Sequence, residues 1–230
     1  FSMQVMTLRD CLRHSHNLEA RPMTTPAVGE ISPNTGSGIR SGSQYLEGLR
    51  DGRDVWMQGE RINDVTEYPG LSRGAHTLAS FMDRQFDPKL QDKLTYMCRG
   101  KRVAMSFLIP ENPQHIRQRG DAYYEWATWS NGMFGRTPDY KNASLMAFAA
   151  ARKFLAEGRP EFAENMWRYY EFVRNHGKVL THTLVNPTYN YAQAQDGRYS
   201  EKVALQIVKE TDAGIIVNGA RLLATLGPFA

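Results

Sequence analysis

Three polar side chains at breaks in the backbone pattern have the residue types for shared chemistry. Arg136 and Tyr140 lie four residues apart in Gly135-Arg136-Thr137-Pro138-Asp139-Tyr140. His182 lies in Leu180-Thr181-His182-Thr183-Leu184-Val185-Asn186-Pro187. A guanidinium stabilises a phenolate, a phenol hydroxyl donates a hydrogen bond, and an imidazole exchanges a proton near neutral pH. Gathered around one point, the three make a site for a phenol. The competing reading is structural: a helix–helix connection with Arg136 solvated and Tyr140 packed on the next helix. Residue types and spacing leave both open.

Other routes to chemistry fail on pattern. The histidines at 14, 16, 76, 115, 176 and 182 form no HExxH and no HxH paired with a carboxylate. No GxSxG elbow and no nucleophilic cysteine motif occurs. The two cysteines, Cys11 and Cys98, lack CxxC spacing. Neither a disulfide framework nor a cysteine metal site is expected, which suits a reducing cytoplasm. Gly36, Gly38 and Gly42 miss the phosphate-loop spacing, and no strand pattern precedes them.

The elements that must position Arg136 and Tyr140 are helices. Asn112 is a cap and Pro113 a first-turn proline. Ile116, Ala122, Tyr123, Trp126, Ala127 and Ser130 then recur at helical spacing. Gly132 and Gly135 open dihedrals closed to other residues, and Thr137 before Pro138 is pushed towards extended geometry. Beyond the loop, Asp139 or Asn142 caps a helix over 143–157, closed by a left-handed Gly158. Pro160 opens a third helix to about 177 with Phe162, Met166, Tyr169, Tyr170 and Val173 inward.

Earlier in the chain, Ser41 or Ser43 caps a short helix with Tyr45, Leu46 and Leu49 on one face. Residues 54–62 read as a hairpin around a glycine turn, and 73–87 as a helix with Ala75, Leu78, Ala79, Met82 and Phe86 inward. Residues 103–109 are a short apolar run, read as extended. After 180 the pattern turns β-branched, with strands expected over 203–209, 215–217 and 222–226. The outcome is an α+β chain: a disordered leader over 1–37, a helical domain over 38–178, and the beginning of a β domain over 179–230. The β domain reads as cut off mid-sheet, so the chain is expected to be a piece of a longer protein. Charged residues are 23% of the 230, which excludes a disordered chain. The net charge of +4 is spread among acidic neighbours without a basic stripe, so no nucleic-acid partner is expected. No apolar run approaches the roughly 18 residues of a membrane span.

Gly135 to Tyr140, then Leu180 to Pro187, then Asn218-Gly219-Ala220-Arg221-Leu222-Leu223-Ala224-Thr225 resemble the oxygenase component of the 4-hydroxyphenylacetate 3-monooxygenase family, in the same order. Gly42-Ser43-Gln44-Tyr45-Leu46-Glu47-Gly48-Leu49-Arg50-Asp51-Gly52-Arg53 and Asp64-Val65-Thr66 resemble its N-terminus. The likeness covers residues of about 40 to 230. It implies an acyl-CoA-dehydrogenase-like fold: an N-terminal helical domain, a middle β domain begun here, and a C-terminal helical bundle missing from this chain.

The resemblance also implies an activity. A separate flavin reductase supplies FADH2, oxygen adds to the flavin, and the resulting hydroperoxide hydroxylates a phenol ortho to its hydroxyl. Arg136, Tyr140 and His182 are the implied catalytic residues, in one cleft. Thr137, Pro138 and Asp139 join them against the substrate. His182, Thr183, Leu184, Val185, Thr188, Tyr189, Asn190, Tyr191 and Thr225 are the implied FAD contacts. At Thr188-Tyr189-Asn190-Tyr191 the chain departs from the Gln and acid–Arg pair of the family. The complete protein is implied to be cytoplasmic and a homo-oligomer, a tetramer. One alternative is a dehydratase of the 4-hydroxybutyryl-CoA type, disfavoured because Arg136 and Tyr140 stand where a CxxxC pair for an iron–sulfur cluster would be sought. The other is a non-catalytic helical interaction domain.

Overall fold

A computed structural model describes residues 37–133, 138–187, 204–212 and 214–230. The expectations for the leader up to residue 36, for Arg136 and Thr137, and for Thr188, Tyr189, Asn190 and Tyr191 lie outside these residues. The chain divides into two compact units. One runs up to Leu180 and takes back Pro228–Ala230; the other is Thr181–Gly227.

The first unit begins with α1 (Gly42–Gly48), held by a full capping box: Ser41 Oγ accepts from Gln44 N, and Gln44 Oε1 accepts from Ser41 N. The hairpin β1 (Val55–Met57) and β2 (Glu60–Ile62) follows, antiparallel, with Trp56 opposite Arg61. Then come α2 (Ser72–Arg84), α3 (Gln91–Leu94) and a second hairpin, β3 (Thr95–Cys98) and β4 (Lys101–Ala104). A 3-10 turn (Met105–Phe107) leads to α4 (Pro113–Trp129), and α5 (Pro138–Ala150), α6 (Arg152–Leu155) and α7 (Pro160–Asn175) complete the unit.

Two apolar centres hold these elements. Phe81 of α2 stacks on Trp126 of α4, ring centroids 3.9 Å apart, and Trp129 meets both rings edge-on. Further along, Phe107, Leu145, Met146, Ala149, Tyr170 and Val173 make one buried cluster that ties the 3-10 turn to α5 and α7. The Tyr170 hydroxyl donates to the Phe107 carbonyl at 2.6 Å, so its burial leaves no unpaired polar group. α1 lies close on α2: Gly42 N donates to Asp83 Oδ1 at 2.7 Å, and a Cβ at Gly42 would come within 2.6 Å of the Ala79 carbonyl. At the end of this unit, Tyr45 OH donates to the Phe229 carbonyl and Arg53 to the Pro228 and Ala230 carbonyls.

Several sequence expectations are corrected. Phe86 lies past the end of α2 and is exposed, and Phe81 takes the inward place. Ile116, Phe162 and Tyr169 are exposed, because α4 and α7 bury only a narrow stripe. Residues 103–109 are not one extended run: β4 ends at Ala104 and the chain tightens into the 3-10 turn. The helix after the loop starts earlier, at Pro138, and breaks at Ala151. Gly158 does not take the left-handed conformation; extended Arg159 before Pro160 separates the helices.

In the second unit, β5 (Gln206–Thr211) and β6 (Gly214–Asn218) form an antiparallel hairpin whose residues are exposed on both faces. Leu222 makes an isolated bridge with Val185, and the strand expected over 222–226 is replaced by a turn at Thr225. Among the described residues no helix is long and apolar enough to cross a membrane.

Candidate functional site

α4 carries the chain to Asn131, Gly132 and Met133, the described residues that precede Arg136 in sequence. Asn112 Oδ1 caps its start by accepting from His115 N at 2.9 Å, with Pro113 in the first turn. At its end Asn131 and Gly132 take left-handed φ of 52° and 77°, and Gly132 N reaches back to the Ala127 carbonyl at 2.8 Å. This closure satisfies a carbonyl the helix cannot pair itself.

Where α5 begins, its first residues point two ways. Asp139 is only 3% exposed, whereas Tyr140 is 48% exposed. The Asp139 carboxyl lies beside the Ser106 hydroxyl of the 3-10 turn, which favours its ionised form. Asn142, one turn further on, donates from Nδ2 to the same Ser106 Oγ at 3.2 Å. Arg119 of α4 completes the cluster: Nη1 donates to the carbonyls of Ser106 and Leu108 at 2.7 and 2.9 Å, and Nη2 to Tyr123 OH at 3.3 Å. Burial pushes the Asp139 carboxyl up to about 6, with the Ser106 hydroxyl and the Arg119 charge opposing. Burial, then the Asp139 charge, pushes the Tyr123 phenol up to about 12, against the pull of Arg119. Asn142 Oδ1 is buried with no hydrogen-bond partner.

Tyr140 stands outside this cluster. Its carbonyl accepts from Ser144 Oγ at 3.1 Å, and Lys141 Nζ lies 4.5 Å from its ring centroid. Of the residues expected near a substrate, the structure places Asp139 and Tyr140 on adjacent positions of one helix turn, with Pro138 opening it. An open apolar groove of about 390 Å³ along α5, lined by Ile109, Pro110, Met146, Ala147, Ala150 and Ala151, offers no acid, base or nucleophile.

In the second unit, the segment from Thr181 to Pro187 is extended and held by Arg221. Its Nη1 donates to Asn186 Oδ1 at 2.6 Å, and Nη2 to the Thr183 and Leu184 carbonyls at 3.2 and 3.3 Å. Leu222 N donates to the Val185 carbonyl at 2.8 Å, fixing the same stretch through an isolated bridge. His182 and Thr183 are half-buried; Leu184, Val185 and Thr225 are exposed. Hydroxyls beside two apolar side chains on a pinned backbone suit a ring system with apolar faces and a polar edge.

Pattern reading gave Ser106, Arg119 and Tyr123 no place in a site. The signals were a serine inside the apolar run Met105-Ser106-Phe107 and an arginine four residues before a tyrosine on one helix face. Among the described residues no group of three His, Cys, Asp or Glu side chains is placed to hold a metal ion.

The mixed helix-and-sheet fold is acyl-CoA-dehydrogenase-like, and comparison with known proteins agrees. The crystal structure of the oxygenase component (HpaB) of 4-hydroxyphenylacetate 3-monooxygenase, complexed with FAD and 4-hydroxyphenylacetate, matches with a TM-score of 0.74 at 39% identity over 82% of this chain and 39% of that one. An archaeal 4-hydroxybutyryl-CoA dehydratase from N. maritimus shares the fold alone, with a TM-score of 0.64 at 16% identity over 80% of this chain and 37% of that one. The chain belongs to the family described as 4-hydroxyphenylacetate 3-hydroxylase N terminal, which matches residues 41–230. It is 40% identical over 187 residues to the 4-hydroxyphenylacetate 3-monooxygenase oxygenase component of Thermus thermophilus, covering 81% of this chain and 38% of that protein. The chain thus spans well under half the length of that relative.

Proposed function

We propose that the protein is the oxygenase component of a two-component phenol monooxygenase that uses FADH2 and oxygen to hydroxylate a phenol, such as 4-hydroxyphenylacetate, beside its hydroxyl group. The observation that carries this reading is the family match over residues 41–230 together with the 40% identity to the Thermus oxygenase component. A separate flavin reductase would supply FADH2, and a cytoplasmic homo-oligomer, a tetramer, belongs to the same reading.

Arg136 stabilises the substrate as phenolate, Tyr140 donates a hydrogen bond to the same oxygen, and His182 takes or returns the proton. The FAD is held by His182, Thr183, Leu184, Val185 and Thr225, with Thr188, Tyr189, Asn190 and Tyr191 continuing that wall. Thr137 and Pro138 complete the substrate side, while Asp139 is buried against Ser106. When bound, reduced FAD with oxygen supplies the electrophilic oxygen atom. A partly ionised ring is electron-rich, so fixing its charge and orientation lowers the barrier to attack. Arg221 serves this arrangement by locking the backbone of Thr183 and Leu184, so that their side chains stay in place.

The test is product formation by the full-length protein with FADH2, oxygen and 4-hydroxyphenylacetate. Arg136→Ala and His182→Ala are expected to lower hydroxylation by about a hundred- to a thousand-fold, roughly 3–4 kcal/mol, with FAD affinity little changed. Tyr140→Phe removes one neutral hydrogen bond and keeps the ring, so its cost is about 1 kcal/mol. Lost product should appear as hydrogen peroxide. An Arg136→Ala protein that hydroxylates at the parent rate would leave the loop a structural connection.

A further inference from the structure

Asp139 is the residue whose placement the phenol chemistry leaves unexplained. It is buried while its neighbour Tyr140 faces outward, and its carboxyl meets the Ser106 hydroxyl rather than solvent. We propose that Asp139 is a positioning residue, whose carboxyl, seated on Ser106 between the 3-10 turn and α4, sets the rotation of the first turn of α5 and so the direction of Tyr140. The role given to Tyr140 rests on the phenol-hydroxylase reading above.

Three observations support this. The first turn of a helix is the part its own hydrogen bonds restrain least, because the leading N–H groups have no intrahelical partner. Side-chain anchors therefore decide how it is turned. Asn142 donates to the hydroxyl of Ser106 at 3.2 Å, and Asp139, three residues earlier on the same face of α5, is buried with its carboxyl beside that hydroxyl, so this face of the helix is held inward at two positions. The clamp's base is itself rigid, because Arg119 grips the carbonyls of Ser106 and Leu108 and donates to Tyr123. Successive residues of a helix are about a third of a turn apart, so an inward Asp139 determines where Tyr140 points.

A carboxyl group is a costly choice for a mere anchor. The charged groups facing it are Arg119 and, when ionised, Tyr123, both on α4; Ser106 contributes a neutral hydroxyl. None makes a salt bridge with it, and burial raises its pKa to about 6. An amide would fill the same space without a desolvated charge. The proton on Asp139 is therefore a control on the clamp: the carboxylate accepts from Ser106, whereas the protonated acid competes as a donor.

The experiment places 3-fluorotyrosine at position 140 of the full-length protein and follows its fluorine resonance from pH 4.5 to 8. The resonance is expected to titrate with a midpoint of about 6 and to be flat in Asp139→Asn. In parallel, Asp139→Asn should weaken 4-hydroxyphenylacetate binding about tenfold at pH 8, and add nothing further in a Tyr140→Phe background. If Asp139→Asn does not fold, Ser106→Ala replaces it and should shift the midpoint. A resonance that titrates unchanged in both variants, or penalties that add in the double variant, overturns the proposal. A parent protein that binds no phenol sinks the functional reading, while the fluorine titration still decides the role of Asp139.

Discussion

The side chains around Ser106 show how burial can work against a charge that geometry retains. Asp139 holds its proton more tightly folded than unfolded, with a pKa near 6 against the usual 3.8. The stability linked to that proton is fully present below pH 3.8 and is lost as the pH rises through 6. At about 1.4 kcal/mol per pKa unit, ionised Asp139 costs the fold about 3 kcal/mol. Asp139→Asn should therefore gain on the parent as the pH rises from 5 to 8, by about 1.4 kcal/mol, the share of that cost not yet reached at pH 5. Urea titrations at the two pH values measure it. A constant difference between parent and variant would mean that the carboxyl does not titrate in this range. His182 lies half-buried next to the backbone that Arg221 pins at Thr183 and Leu184.

At the scale of elements, α4 is the lever that carries the loop, and both its ends are closed by local devices. Asn112 meets His115 N at one end, and the left-handed pair Asn131 and Gly132 meets Ala127 at the other. Between them, Trp126 is stacked on Phe81 and Arg119 holds the 3-10 turn. Asn112→Ala should cost about 1 kcal/mol, since it strands a single capped N–H at an exposed end. Thermal melts of the two proteins check this, and an unchanged melting temperature would show the cap to be redundant with Pro113. The β3–β4 hairpin is a smaller lever: Arg99 and Gly100 both take positive φ, the two-residue turn that matches strand twist.

For the whole molecule, the contrast lies between a segment that is tied down and one that is exposed. Pro228–Ala230 is tied into the first unit by Tyr45 and Arg53, and the Phe229 ring sits on Gly74. The β5–β6 hairpin, by contrast, exposes Ile207, Val208, Ile215, Ile216 and Val217. A lone two-stranded hairpin is marginal in water, and such apolar edges favour association. In the 230-residue chain, amides of residues 206–218 should exchange with solvent far faster than those of Tyr170 and Val173, which are buried in α7. Hydrogen exchange read by mass spectrometry decides it, and equal protection would mean that the hairpin is covered by another copy.

Much of this was written locally. Ser41 or Ser43, Asn112 with Pro113, and Pro160 announced their helix starts, because caps and first-turn prolines act within a few residues and are legible in the chain. Periodicity found the inward face of α2, and the order of the motifs from Gly135 to Thr225 pointed to the family that the chain belongs to. What periodicity missed was long-range. Ile116, Phe162 and Tyr169 are apolar at helical spacing yet exposed, because a stripe is buried only where another element meets it. Leu222 pairs with Val185, 37 residues away, in an isolated bridge and not in a strand. Asp139, which stood in the sequence as a cap or a substrate contact, is instead turned onto Ser106, with Arg119 and Asn142 around the same turn. Three chain segments meet at Ser106, α4 on its carbonyl and α5 on its hydroxyl, and only tertiary packing could bring them there, since burial and shared hydrogen bonds belong to the space between elements and not to any one stretch of sequence.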